Sequence, residues 1–221
     1  AFGLCPSQPE VQEFLCGLLA DLSERACFKR LGLETFDYFY GTGFGWHHDK
    51  YHVELGKLGE FLFGLCFCEE CRDHATNRGI NVEQARTSAQ AGIDGIIHGE
   101  LSPETSPAGW LRSHPELSAY VDVRTETLSD LYGSLRSTVG GDVELGRYAG
   151  FFEIEDEWMH GADLNALATH LNYYTVIAYE STRREIVQRV RAADQLTPDV
   201  PLHVGILPGP PAINDPGTVT D

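Results

Sequence analysis

From residue 146 onward the chain alternates two rhythms, and this alternation constrains its fold more than any other feature. "RYAGFFEI" reads as a strand, residues 162–170 as a short helix and "YYTVIAY" as a second strand. Ser181 then opens a helix carrying Ile186, Val187 and Val190, and "PLHVGIL" is a further strand. Short β-rich runs separated by helical stretches and by loops of Gly, Asp and Pro are the mark of βα units on a parallel sheet. Upstream, "CFKRLGLETF" (27–36) adds a strand that ends at Glu34. These four strands are about half of what an eight-stranded barrel needs. The expected fold is therefore α/β, a partial (β/α)8 TIM barrel, with 1–221 as a single domain and 36–145 as a long, mostly helical connection after the Glu34 strand. On that reading the chain is a piece of a longer protein.

Helical periodicity fills the remainder. Ser7 and Glu10 have the spacing of a capping box before Val11, Phe14, Leu15, Leu18, Leu19 and Leu22, which predicts a helix near 8–25. Asn81 with Gln84 marks another helix start, and Leu117, Tyr120, Val121, Leu128, Leu131, Tyr132 and Leu135 outline a longer one.

Charge narrows the partners. Thirty-three acids against sixteen Lys and Arg leave a net charge of −17. Phosphate binding is driven by basic neutralisation, so nucleic acid is an unfavoured partner. The balance suits a heavily hydrated surface that stays dispersed in high salt, as in a halophilic protein. No apolar run approaches a membrane span and the start lacks a basic-then-apolar leader, so the expected location is cytoplasmic, with no membrane partner.

Three of the six cysteines fall within "CFCEEC", as Cys66, Cys68 and Cys71. On a helix Cys68 and Cys71 share a face, whereas Cys66 converges with them only if it sits in the turn before that helix. Tetrahedral zinc wants four soft or imidazole ligands. The residues alone leave the fourth open among Cys5, Cys27, His47, His48 and His74, and they leave buried thiols or a redox pair as other readings.

The order "LCPSQPEVQEF", then "LGLETFDY", then "CFCEEC" resembles glycoside hydrolase family 42, the β-galactosidases. In that family a Cys-Pro loop leads into a helix, the next strand ends in the acid/base glutamate, and a CxCxxC cluster follows. The resemblance covers roughly the first eighty residues. It implies a structural zinc held by Cys5, Cys66, Cys68 and Cys71, and Glu34 as general acid/base. Two departures stand beside it. Leu33 occupies the position of the asparagine that precedes the family's acid/base, and "PLHVGILPG" ends without the carboxylate that would be the nucleophile.

Glycoside hydrolysis needs two carboxyls of different protonation. Glu155 (with Asp156) and Glu180, each after a strand, are the other catalytic candidates. Trp46, His47 and His48 follow the Glu34 strand, Trp158 follows the next strand and Tyr179 ends the one after, so these are the candidates for binding a sugar. The expected function is a carbohydrate-active protein, a glycoside hydrolase acting on a small-molecule or oligosaccharide substrate, with homo-oligomers left open. A catalytically silent sugar-binding or scaffold barrel is one rival. A metal-dependent hydrolase using His47, His48 or His203 is the other.

Overall fold

The computed structural model describes residues 4–25, 28–38, 55–150 and 153–209. Its elements run α1 (Pro9–Arg25), β1 (Arg30–Leu33), α2 (Gly56–Phe63), α3 (Glu69–Asn77), α4 (Val82–Ile97), α5 (Pro107–Ser113), α6 (Pro115–Thr138), β2 (Glu144–Ala149), a 3-10 helix (Ile154–His160), α7 (Leu164–Leu167), a 3-10 turn (Ala168–His170), β3 (Tyr173–Ile177), α8 (Arg183–Leu196) and β4 (Leu202–Gly205). Among the described residues no helix is long and apolar enough to cross a membrane.

The four strands expected from the sequence are present and all pair in parallel, in the order β1-β2-β3-β4. The barrel is not. One sheet of four strands, each four to six residues long, is too short and too narrow to close. The expectation of a partial (β/α)8 TIM barrel is therefore corrected to a small open parallel sheet with helices. The physical reason is that strand–helix alternation reports parallel neighbours and says nothing of closure, because open and closed α/β sheets share it.

Two compact units emerge, one drawn from Ala1–Glu13, Asp37–Leu128 and Met159–Gly161 and the other from Phe14–Phe36, Ser129–Trp158 and Ala162–Asp221. The first is helical. Ala85, Ala89, Gly92 and Ile96 form one buried stripe on α4, and the absent side chain at Gly92 lets Leu62 of α2 and Trp110 of α5 come close. A Cβ there would lie 2.4 Å from Leu62 Cδ1 and 3.1 Å from the Trp110 ring. Asn81 caps α4 through Gln84 N–H, as its spacing predicts.

The second unit is built on the sheet. Leu33, Leu145, Ala149, Tyr174, Val176 and Ile177 are buried along the strands. Gly146 lies under the Tyr173 ring, which stacks on His203 at 4.6 Å and lies beneath the Arg30 guanidinium at 5.8 Å. α8 begins at a Thr182–Glu185 capping box, one residue after the expected Ser181. The apolar stripe of α1 buries only Leu19, while Phe14 and Leu18 stay exposed.

Candidate metal centre

The cysteines converge because three kinds of local structure meet. Cys5 sits in a tight turn closed by a hydrogen bond from Gln8 N–H to its carbonyl, 3.0 Å, ahead of α1. Residues 65–68 run without regular structure into α3, and Cys68 is the N-cap of that helix in extended backbone, φ −65°, ψ 171°. Cys66 and Cys68 join the cluster, while Phe67 between them turns to α6. Phe67 stacks on Tyr120 of α6, with centroids 4.6 Å apart and planes 14° from parallel. The Tyr120 hydroxyl donates to the Cys66 carbonyl at 2.5 Å. Cys71, in the first turn of α3, completes the set. Cys66 does precede the helix, which was the condition the spacing set.

The four Sγ atoms lie within 4.8 Å of one another. Cys5 is 3.4 Å from Cys71 and 3.8 Å from Cys68. A tetrahedron of Zn–S bonds near 2.3 Å has sulfur–sulfur edges of about 3.8 Å, close to the two Cys5 distances. The donor set fits a soft dication and could hold a metal ion. The side chains around it are polar where they need to be. Gln8 Nε2 donates to Cys68 Sγ at 3.3 Å, and Ser7 Oγ lies 3.2 Å from Cys71 Sγ and 2.7 Å from the Tyr38 hydroxyl.

The thiols do not share protons evenly. Hydrogen bonds from Cys5 and then Cys71 hold Cys66 well below the usual thiol range. Cys5 is pushed up to about 12, first by its bond to Cys66, and Cys71 is pushed far up, first by Cys5 and then by Cys66. A dication would reverse this order by making every thiolate favourable. Burial raises both neighbouring phenols, Tyr38 and Tyr120.

The sequence points to the clustered cysteines and misses what surrounds them. Ser7, expected as a helix cap, spends its hydroxyl on Cys71 and Tyr38. Arg124 is the largest omission. It is 2% exposed, and its Nε, Nη1 and Nη2 have no hydrogen-bond partner among the described residues. A signal existed: Arg124 is four residues after Tyr120 and four before Leu128, inside the apolar stripe of α6.

The expected catalytic acids belong to the second unit. Glu34 follows β1 directly and is exposed. Glu155 is exposed on the 3-10 helix. Glu180 is half-buried and paired with Arg189, which also approaches Glu153 at 3.7 Å. Leu33 is level with Arg147 and Arg147 with Tyr174, so Glu34 leaves the sheet level with Thr175, five residues before Glu180. Of the expected sugar-binding residues, Trp158 is half-buried and Tyr179 exposed, while Trp46, His47 and His48 lie outside the described residues. His203 is engaged by the Tyr173 ring. A groove of about 570 Å3 is lined by Cys16, Asp130, Gly133, Ser137 and His170, and none of the expected acids lines it.

Set against known proteins, the chain matches no family model, no curated protein and no solved structure.

Proposed function

We propose that this chain binds one zinc ion through Cys5, Cys66, Cys68 and Cys71, as a closed structural centre that ties the turn before α1 to the N-terminus of α3. One observation carries the reading: four thiol sulfurs from two distant stretches of chain lie within 4.8 Å of one another. Structural zinc sites are four-coordinate and leave no open position, whereas catalytic sites keep one for water or substrate. Such a centre contributes folding energy to a segment that has little core of its own. The test is metal analysis of protein purified without chelator, with thiols counted before and after the metal is removed. One zinc per chain and four thiols that react only after chelation support the reading. No metal, with every thiol reactive from the start, contradicts it, and a red, iron-loaded protein would assign the site to iron instead.

A second reading, hydrolysis of a carbohydrate with Glu34 as general acid/base, is favoured by a different observation. Glu34 leaves the C-terminal end of a parallel strand, where open α/β sheets place their ligands. Thr35, which follows it, has a left-handed backbone at φ 57°, unusual for a β-branched residue. A panel of p-nitrophenyl glycosides tests this. Turnover by the wild type that falls about 10²–10⁴-fold in Glu34→Gln supports it. Equal rates in the two proteins, or no turnover at all, contradict it.

A further inference from the structure

We infer that Arg124 is the built-in counter-charge of the four-cysteine metal centre, and that its guanidinium sets how tightly the centre holds a dication. The inference rests on the zinc-binding reading and deepens it.

A dication held by four thiolates leaves the site with two net negative charges, since four ligand charges exceed the two of the metal. Taking that excess out of water is costly unless a positive charge lies nearby. The first turn of α3 supplies part, through the positive end of its backbone dipoles. Arg124 supplies a full charge. Tyr120 and Arg124 lie four apart on α6 and so share a face, and Tyr120 already touches the Cys66 carbonyl. The Arg124 guanidinium lies over the Tyr38 ring, 4.4 Å from its centroid. The Tyr38 hydroxyl meets Ser7, and Ser7 meets Cys71. The ionisable groups acting most strongly on Arg124 are, in order, Tyr38, Cys71, Tyr120 and Cys66, all of them at the site.

An arginine keeps its charge even when buried. Buried arginines are normally met by a carboxylate or carbonyl fork. Arg124 has no such fork among the described residues, and stacking on a phenol ring does not neutralise a charge. Long-range attraction to an anionic centre does, without requiring hydrogen-bond geometry.

The test compares the full chain as wild type, Arg124→Met and Arg124→Lys. Zinc affinity is measured by competition with a chromophoric chelator, and melting temperature with and without zinc. Loss of the charge in Arg124→Met is expected to weaken zinc about 10–100-fold, the range seen when groups surrounding metal ligands are removed, while Arg124→Lys stays within about threefold of wild type. The rise in melting temperature on adding zinc should shrink in Arg124→Met. Unchanged affinity and an unchanged zinc-induced rise in Arg124→Met overturn the inference. So does an equal loss of stability in the zinc-free and zinc-loaded forms, which is what a merely structural arginine would give. If Arg124→Met does not fold, Arg124→Lys decides: affinity near wild type supports the counter-charge, and a loss above about tenfold refutes it. A wild type that takes up no zinc overturns the zinc reading and the inference with it, and that result is distinct from a loss confined to the variants.

Discussion

Arg124 and Arg147 are two arginines buried to the same depth, at 2% and 3% exposure, and they are treated oppositely. Arg147, on β2, meets the Glu157 carboxylate at 2.7 Å, and Glu157 is also held by Gly150 N–H at 2.6 Å. Its charge is cancelled inside the sheet unit by the chain itself. Arg124, in the helical unit, lies against the Tyr38 ring, and no carboxylate or carbonyl hydrogen-bonds its guanidinium among the described residues. In the sheet unit the buried guanidinium meets a carboxylate; in the helical unit it meets a ring.

The comparison can be broken most forcefully at the cysteines. Cys71→Ala is expected to abolish stoichiometric zinc binding and to remove the stabilisation that zinc provides, which for small four-ligand sites is on the order of 10 kcal/mol. Melting curves with and without zinc read this directly; a variant that still gains stability from zinc would contradict it. Next comes Glu157→Ala, which removes the carboxylate that meets Arg147. The expected cost is about 3–5 kcal/mol by chemical denaturation, with the zinc affinity of the folded fraction unchanged. A cost below about 1 kcal/mol would mean that the pair is wetter than its burial implies.

Acid sharpens the contrast. Cys5 and Cys71, both raised above the usual thiol range, keep their protons near neutral pH. Zinc must displace at least those two protons, so affinity rises with pH and falls as pH drops. The expected slope is about 100-fold per pH unit near neutrality, seen as proton release in calorimetry across buffers. A flat profile between pH 6 and 8 would contradict it. Smaller effects come from packing. Gly92→Ala should cost about 1–3 kcal/mol as Leu62 and Trp110 move aside, and Asn81→Ala about 1 kcal/mol through the lost cap. Denaturation midpoints at constant slope measure both.

What was legible in the sequence follows from which interactions are local. The strands of the sheet unit carry their own β-rich runs and bounding loops, so each could be read in place. Closure depends on strand number and stagger, which no local pattern encodes, and there the barrel expectation failed. Three of the four clustered cysteines were legible because "CFCEEC" concentrates thiols in six residues; the fourth, Cys5, came only from the family resemblance. The geometry that makes Cys66 usable was not. It depends on Phe67 turning away onto Tyr120, a contact between residues 53 positions apart in the chain. Arg124 and Ser7 were hidden for a related reason. In the sequence they look like an ordinary helix charge and an ordinary cap, and only the fold brings them to the thiols.

The most direct measurement is zinc-edge X-ray absorption on the full chain purified without chelator. The account predicts a single shell of four sulfur neighbours near 2.3 Å. A shell containing nitrogen or oxygen at about 2.0–2.1 Å, or no zinc edge at all, would contradict it.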